Sequence, residues 1–392
     1  MLLSQATTRS TTVTQTLLRA PRLTLSTLRF SSSSAPSPSP SQSATTIASS
    51  FLTRFQSLGP QTRVQTLDAN QLRLLSLTLN RPSLFPASAS PTLTTAPSAT
   101  TSEPEIDLGT PLPAGYHLVY FTPAFLENEL GADGTDTSYN PDQPFTRRMW
   151  AGGEVSWPRD KEGKVNPLRV GERVTETTRV LSAEGKVIRK TGEEMVVVGV
   201  EKEFRNERGV AVVDRRNWIF RKALPAPSPM PSPSTSNLPP ASPPSAIPAS
   251  VKTSSSPDNT THTRTLVQTP VTLFRFSALT FNPHRIHYDH PWTREVEGHR
   301  NVVVHGPLNL ISILDLWRDT RGLNKGPSDS IQTGEVDLNS ILPEKISYRA
   351  TSPIYAGDEY SIVLKEEGGG KGVVEVITPG GNVGMKAEIL GI

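Results

Sequence analysis

The sequence predicts an α+β fold built twice: two antiparallel sheets, each wrapping a central helix. Three observations carry this. First, "EEMVVVGVEKEFRNERGVAVVDRRNWIFR" (193–221) and "GVVEVITPGGNVGMKAEILGI" (372–392) both alternate apolar and polar residues with period two, and a Gly-containing turn splits each into a strand pair. Second, each pair follows the same signature of Pro, three residues, Gly, an acid and an alternating strand: Pro167, Gly171 and Glu172, then Pro353, Gly357 and Asp358. Repeated order of this kind implies a duplicated unit. Third, "HGPLNLISILDLWRDTRG" places Leu308, Leu310, Ile311, Leu314, Leu316 and Trp317 at helical spacing, over so wide a face that the helix should be buried on most sides. A long buried helix wrapped by antiparallel strands is the hotdog arrangement, and two of them make a double hotdog.

The elements follow in chain order. No acidic residue precedes Asp68, while Arg9, Arg19, Arg22, Arg29, Arg54 and Arg63 lie among many Ser and Thr. Arg-rich, Ser-rich and acid-poor is the pattern of a mitochondrial transit peptide. We therefore expect residues 1–44 to be a leader for the matrix, cleaved near Phe30. Residues 45–82 have helical spacing and are read as an N-terminal helical segment. Residues 83–104 are a Ser/Thr/Pro linker. Residues 105–222 form the first hotdog, and 223–262 a Pro/Ser-rich insertion without a periodic apolar face, expected to be disordered or extended. Residues 263–392 form the second hotdog, whose helix carries Pro307 in its first turn, where a missing N–H costs nothing.

Composition narrows the function. The net charge is +3, and removing the six leader-side arginines leaves −3 for the rest, so the folded part has no electrostatic case for nucleic-acid binding. With no cysteine, disulfides, Cys-ligated zinc, iron–sulfur clusters and a thiol nucleophile are excluded. The most apolar run, "NVVVHGPLNLISILDLW", is interrupted by Asn301, His305, Asn309 and Asp315 and is not expected to span a bilayer.

Five of the seven histidines (His284, His287, His290, His299 and His305) fall between positions 284 and 305. His284 and His287 form H-x-x-H, but zinc sites usually show more supporting pattern than this, and no metal is assigned. Acid/base chemistry fits better. The apolar stretch Val302–Val304 runs into His305 and Gly306, where the helix starts. Glycine there lets a ligand approach the backbone. Its N–H sits at the positive end of the helix dipole, suited to a developing oxyanion such as a thioester enolate. A histidine loop beside a helix N-terminus is a minimal kit for adding or removing water at an activated double bond.

"LFRFSALTFNPHRIHYD" together with "EGHRNVVVHGPL" resembles the MaoC-like, R-specific enoyl-thioester hydratases. The similarity is closer to their mitochondrial and mesaconyl/itaconyl-CoA relatives, among them the fungal mitochondrial type 2 dehydratases of type II fatty acid synthesis. "LPAGYHLVYFTP", "LGADGTD" and "PFTRRMWAGG" resemble the N-terminal half of the same two-part enzymes. The resemblance implies a cofactor-free hydro-lyase acting on acyl-CoA or acyl carrier protein thioesters, dehydrating (R)-3-hydroxyacyl to trans-2-enoyl groups. The family motif Asp-x-Asn-Pro-x-His puts its His on His287, its Asp on Asn282 and its Asn on His284. His287 is then the main base and Asn282 orients water. Asp289 or His284 sets the tautomer of His287 or shares the proton work, and the Gly306 N–H holds the thioester oxygen. Arg285 and His305 are expected at the substrate, with Arg285 the cationic contact that a dicarboxylic substrate would need. In the first half, Arg147 and Arg148 are expected to meet a CoA or carrier phosphate while Trp150 packs. The alternatives are mesaconyl/itaconyl-CoA hydration and, because an amide is no general base, a non-catalytic acyl-thioester scaffold. Two halves in one chain permit a monomer or a homodimer.

Overall fold

The computed structural model describes residues 43–85, 106–224, 251–323 and 337–391. Residues 1–42 of the expected transit peptide, the linker from 86 onward and residues 225–250 of the expected insertion lie outside the described residues, while Ser43 and Ala44 cap and open a helix.

The first half comprises α1 (Ala44–Leu58), β1 (Gln61–Thr66), α2 (Ala69–Thr78), 3-10 turns at Tyr116–Val119 and Glu127–Glu129, then β2 (Arg147–Ser156), β3 (Arg173–Val187), β4 (Glu194–Asn206) and β5 (Gly209–Arg221). The second half comprises β6 (Val251–Ser255), β7 (Thr261–Val267), α3 (Pro270–Thr280), α4 (Gly306–Leu323), α5 (Leu338–Ile341), β8 (Lys345–Ala350), β9 (Glu359–Gly368), β10 (Lys371–Ile377) and β11 (Val383–Leu390). All strands join one antiparallel sheet in the order β1-β3-β4-β5-β2-β8-β11-β10-β9-β7-β6. Counted outward from the centre, β2 and β8, β5 and β11, β4 and β10, β3 and β9, and β1 and β7 hold matching places. The repeated signature is the same turn twice, with Gly171 at φ 83° and Gly357 at φ 82°. Two residues before each glycine, Arg169 bridges Pro111 and Tyr355 bridges Val303. The fold is the double hotdog, with its two sheets joined edge to edge where Gly152–Ser156 pairs with Lys345–Arg349.

The helix α4 is the core of the second half. Leu308, Leu310, Ile311, Leu316 and Trp317 are fully buried against Ile346, Ile362, Val376 and Ile389 of the sheet. The first half differs from its twin here. Where α4 follows the Val303 bridge, only the turn Tyr116–Val119 follows the Pro111 bridge, because Pro111, Pro113 and left-handed Gly115 (φ 84°) break any longer helix. At its far end the same sheet face is covered instead by α1, whose Ile47 and Phe51 pack on Val196, Val198, Val200 and Phe220. Between α1 and the turn no helix among the described residues lies on the sheet. That gap forms one wall of a cleft of about 2030 Å³ that runs across to the second half.

Two expected boundaries move. Residues 45–82 are not helical throughout: β1 lies inside them, and β1–α2 matches β7–α3, so the first half starts at Gln61 rather than at 105. Residues 251–262 of the expected insertion are ordered, as β6 and the turn into β7. Both are edge strands whose residues are almost all exposed, held by backbone pairing to β3 and to β7. Neither carries an apolar alternation to announce it. The helix α3 was not expected; Pro270 opens it and Thr269 caps the Thr272 N–H. No helix among the described residues is long and apolar enough to cross a membrane.

Candidate active site

The site is built where α3, the loop after it and the start of α4 converge. Phe281 ends α3 in the left-handed conformation (φ 47°) and turns the chain back, so that the Asn282 N–H reaches the Ser277 carbonyl at 2.9 Å. The Asn282 Oδ1 then accepts the His284 N–H at 3.2 Å. A 3-10 turn, Arg285–His287, follows. The first half pins this loop from outside. The Asp133 carbonyl accepts the Arg285 N–H at 2.8 Å. A Cβ on Gly134 (φ 80°) would lie 2.2 Å from the Pro283 carbonyl oxygen, so only glycine allows the contact.

His287 is buried, and its Nδ1 lies 2.7 Å from the Val303 carbonyl. A carbonyl can only accept, so Nδ1 carries the proton and Nε2 keeps a free lone pair. The His305 ring stacks on the His287 ring, centroids 3.5 Å apart and 18° from parallel. The His305 Nε2 is 2.9 Å from the Ser277 Oγ. His284 meets the edge of His287 at 5.4 Å, and its Nε2 lies 3.8 Å from the Asp133 carboxylate. Burial is the first cause that pushes His287 down to about 3; His284 adds to it and the Val303 bond opposes it. Burial, with Arg148 and Arg147 nearby, also pushes His284 down to about 3. His305 is held well below its ordinary value by burial, then by His287 and His284. The cluster is therefore three neutral imidazoles at physiological pH.

All nine candidate residues line the one cleft: Arg147, Arg148, Asn282, His284, Arg285, His287, Asp289, His305 and Gly306. Their roles are less uniform than their placement. The tautomer of His287 is set by a backbone carbonyl, not by Asp289 or His284. The Asp289 carboxylate instead accepts from Arg285 Nη2 at 2.6 Å and from the Trp292 N–H at 3.0 Å. Burial opposes its ionisation, but those two donors keep it below the usual carboxylate range. Arg285, paired with Asp289 and lying 4.1 Å from the Trp292 ring centroid, is a brace for the loop. His305 is 1% exposed and supports His287 from behind rather than facing a ligand. Arg147 pairs with the buried Glu297, and Arg148 pairs with Asp136 while lying 5.1 Å from the Trp218 ring centroid. At Gly306 the close approach comes from the protein: a Cβ there would sit 2.0 Å from Trp150 Cε3. Among the described residues no group of three or more His, Asp or Glu has a metal-binding arrangement.

Sequence reasoning missed four contributors: Ser277, Asp133, Glu297 and the Val303 carbonyl. Ser277 lies in the segment preceding the histidines and carried a usable signal, a hydroxyl on the α3 turn facing the loop. The carbonyl has no residue-type signal at all.

The model of the family hydroxyacyl-thioester dehydratase type 2 matches residues 115–356, from the broken first-half turn through the histidine loop and α4. The chain belongs to this family. Among its relatives, the mesaconyl-C(4)-CoA hydratase of Chloroflexus aurantiacus is 32% identical over 213 residues, covering 53% of this chain and 65% of that protein, just under two thirds. The mitochondrial hydroxyacyl-thioester dehydratase type 2 of Schizosaccharomyces pombe is 27% identical over 269 residues, covering 66% of this chain and 79% of the relative. Among solved structures, HtdX of Mycobacterium tuberculosis aligns with a TM-score of 0.46 at 13% identity, over 85% of this chain and 100% of the other. A second M. tuberculosis protein, described as a double hotdog, aligns with a TM-score of 0.44 at 14% identity, over 86% and 96%.

Proposed function

We propose that the protein interconverts (R)-3-hydroxyacyl and trans-2-enoyl thioesters, on CoA or an acyl carrier protein, in type II fatty acid synthesis of the mitochondrial matrix. The observation that carries this reading is the Nδ1 bond of His287 to the Val303 carbonyl at 2.7 Å, which leaves Nε2 as an unprotonated base in the cleft. In dehydration Nε2 takes the C2 proton, and negative charge grows on the thioester oxygen. The Gly306 N–H at the start of α4 meets that charge. Nε2 then returns its proton to the C3 hydroxyl. The C3–O bond breaks, the C2–C3 double bond forms, water leaves, and His287 ends neutral as it began. The Asn282 Oδ1 is engaged by the His284 N–H, so its amide N–H₂ is the group free to orient the water. The depressed pKa keeps His287 in its base form throughout the physiological range.

The mitochondrial destination rests on the acid-free, Arg- and Ser-rich N-terminus and on the name of the fission-yeast relative. A second reading, hydration of a short dicarboxylic enoyl-CoA, draws on the 32% identical relative. One assay separates them. Loss of enoyl-thioester absorbance is followed with crotonyl-CoA, a medium-chain enoyl-CoA and mesaconyl-CoA, for wild type and His287→Ala. Turnover of the linear substrates, reduced by at least about a hundredfold in the variant, is expected. Turnover of mesaconyl-CoA alone moves the protein to the second reading. Binding of acyl-CoA without turnover of any substrate returns it to a scaffold.

A further inference from the structure

The first-half wall of the cleft carries a feature that the hydration chemistry does not use. The inner faces of β3, β4 and β5 are apolar at both ends. Val196, Val198 and Val200 lie under α1, and Val174, Phe204 and Val212 lie towards the Tyr116–Val119 turn. Between these rows runs a polar belt. Thr178, Lys202 and Asp214 stand opposite one another across the three strands, flanked by Glu176 and Arg216. Lys202 is 7% exposed, Glu176 3% and Asp214 fully buried.

Buried charge is costly unless it is paired, and this belt is unevenly paired. Arg216 is satisfied by Asp214, with Nε at 2.8 Å. Lys202 and Arg63 share one carboxylate, Glu176, at 3.0 and 2.8 Å. Arg63 is 42% exposed and also donates to the Phe121 and Thr122 carbonyls, so the buried Lys202 is the belt cation left with only a share of one carboxylate. The Lys202 Nζ has three N–H groups, of which Glu176 and Thr178 take two. Burial pushes Lys202 down to about 8; Glu176 resists this, and Arg216 and Arg63 add to it. Lys202, Glu176, Thr178, Arg216 and Trp218 all line the cleft that holds His287. Trp218, two residues from Arg216 on the same strand face, lies under Arg148 of β2, a neighbour of His284.

We propose that this belt is an anion subsite, in which Lys202 binds a negatively charged oxygen group of the substrate distant from the thioester. A bound anion takes the third N–H and gives Lys202 a second negatively charged partner. Two sources share this chemistry: a carboxylate at the far end of the acyl chain, and the phosphate of the carrier arm. The subsite rests on the thioester reading of the cleft.

The test uses trans-2-enoyl-CoAs of increasing length, each paired with its counterpart ending in a carboxylate instead of a methyl group. Wild type is expected to prefer the carboxylate partner at least tenfold in kcat/KM at one length, and Lys202→Met to reduce that ratio to about one. Calorimetric titration of wild type with the matching saturated acyl-CoAs reads the same preference as affinity, so a variant that fails to fold leaves the test intact. Equal loss of both series in Lys202→Met, with inorganic phosphate competing in wild type only, retains the anion subsite and assigns it to the carrier phosphate. A wild-type preference below twofold at every length, with no competition by phosphate, overturns the proposal. Binding preference without any turnover would sink the hydratase reading and leave the subsite standing.

Discussion

His287 is held by three neighbours, and none of them is an acid. The Val303 carbonyl fixes the tautomer, His305 fills the space behind the ring, and Ser277 fixes His305. Ser277→Ala leaves the buried His305 Nε2 without its partner, which costs roughly 1–3 kcal/mol. The expected outcome is a lower melting temperature and a kcat reduced several-fold with KM little changed, since the base is loosened and no substrate contact is lost. An unchanged kcat would mean that the stack is not needed to hold His287. The sequence singled out His287, Asn282, His284, Asp289 and Gly306 as catalytic candidates, and the fold brings all five to one cleft. The sequence could not show that Asp289 turns to Arg285, because H-x-D spacing is compatible with either partner and only the fold of the 3-10 turn decides.

At the scale of elements, the catalytic loop belongs to the second half but is held by the first. The contact of Gly134 with the Pro283 carbonyl and the bond from the Arg285 N–H to the Asp133 carbonyl are the two pins. Gly134→Ala puts a methyl 2.2 Å from that oxygen at a backbone angle unfavourable to any side chain. The loop must move, at a cost of about 1–3 kcal/mol. The expected outcome is at least about a tenfold loss of kcat, because an Å-scale displacement of a base is expensive in rate. Circular dichroism should remain that of the wild-type fold. Full activity in this variant would show that the first half does not position the loop. Gly306→Ala is expected to be worse for folding, since its Cβ meets the rigid Trp150 ring rather than a movable loop. Elements with an apolar period were legible: α4, β4, β5, β10 and β11. The edge strands β1 and β6 were not, because backbone hydrogen bonds to one neighbour need no side-chain pattern. The missing first-half helix was legible in principle from Pro111, Pro113 and Gly115, but the duplication argued for a helix there and outweighed the breakers.

For the whole molecule, duplication with a long central helix in only one half gives a closed half that carries the histidine loop and an open half that lines the cleft. The cost is a site made of buried neutral imidazoles, and that cost depends on pH. His284, His287 and His305 have folded pKa values pushed below the ordinary value, with His284 and His287 at about 3. Between about pH 6.5, the unfolded value, and the folded values, the unfolded chain binds more protons than the folded one. Stability from these three groups is therefore fully present above about pH 6.5 and is lost as pH falls, by up to about 1.4 kcal/mol per pH unit for each ring. The paired carboxylates Glu176, Asp136 and Asp319 are also held low, with Arg or Lys partners opposing burial, so their contribution is lost only below the ordinary carboxylate range. Two acid windows result, and the upper one belongs to the histidines. The melting temperature measured between pH 7.5 and 5 should fall steadily in wild type. In His305→Phe, which keeps a flat ring on His287 and removes one of the three titrating groups, the fall should be shallower by up to about a third. A melting temperature that does not change across that range would mean that the rings take up protons in the folded state. The neutral, carbonyl-fixed base on which the chemistry depends would then be wrong.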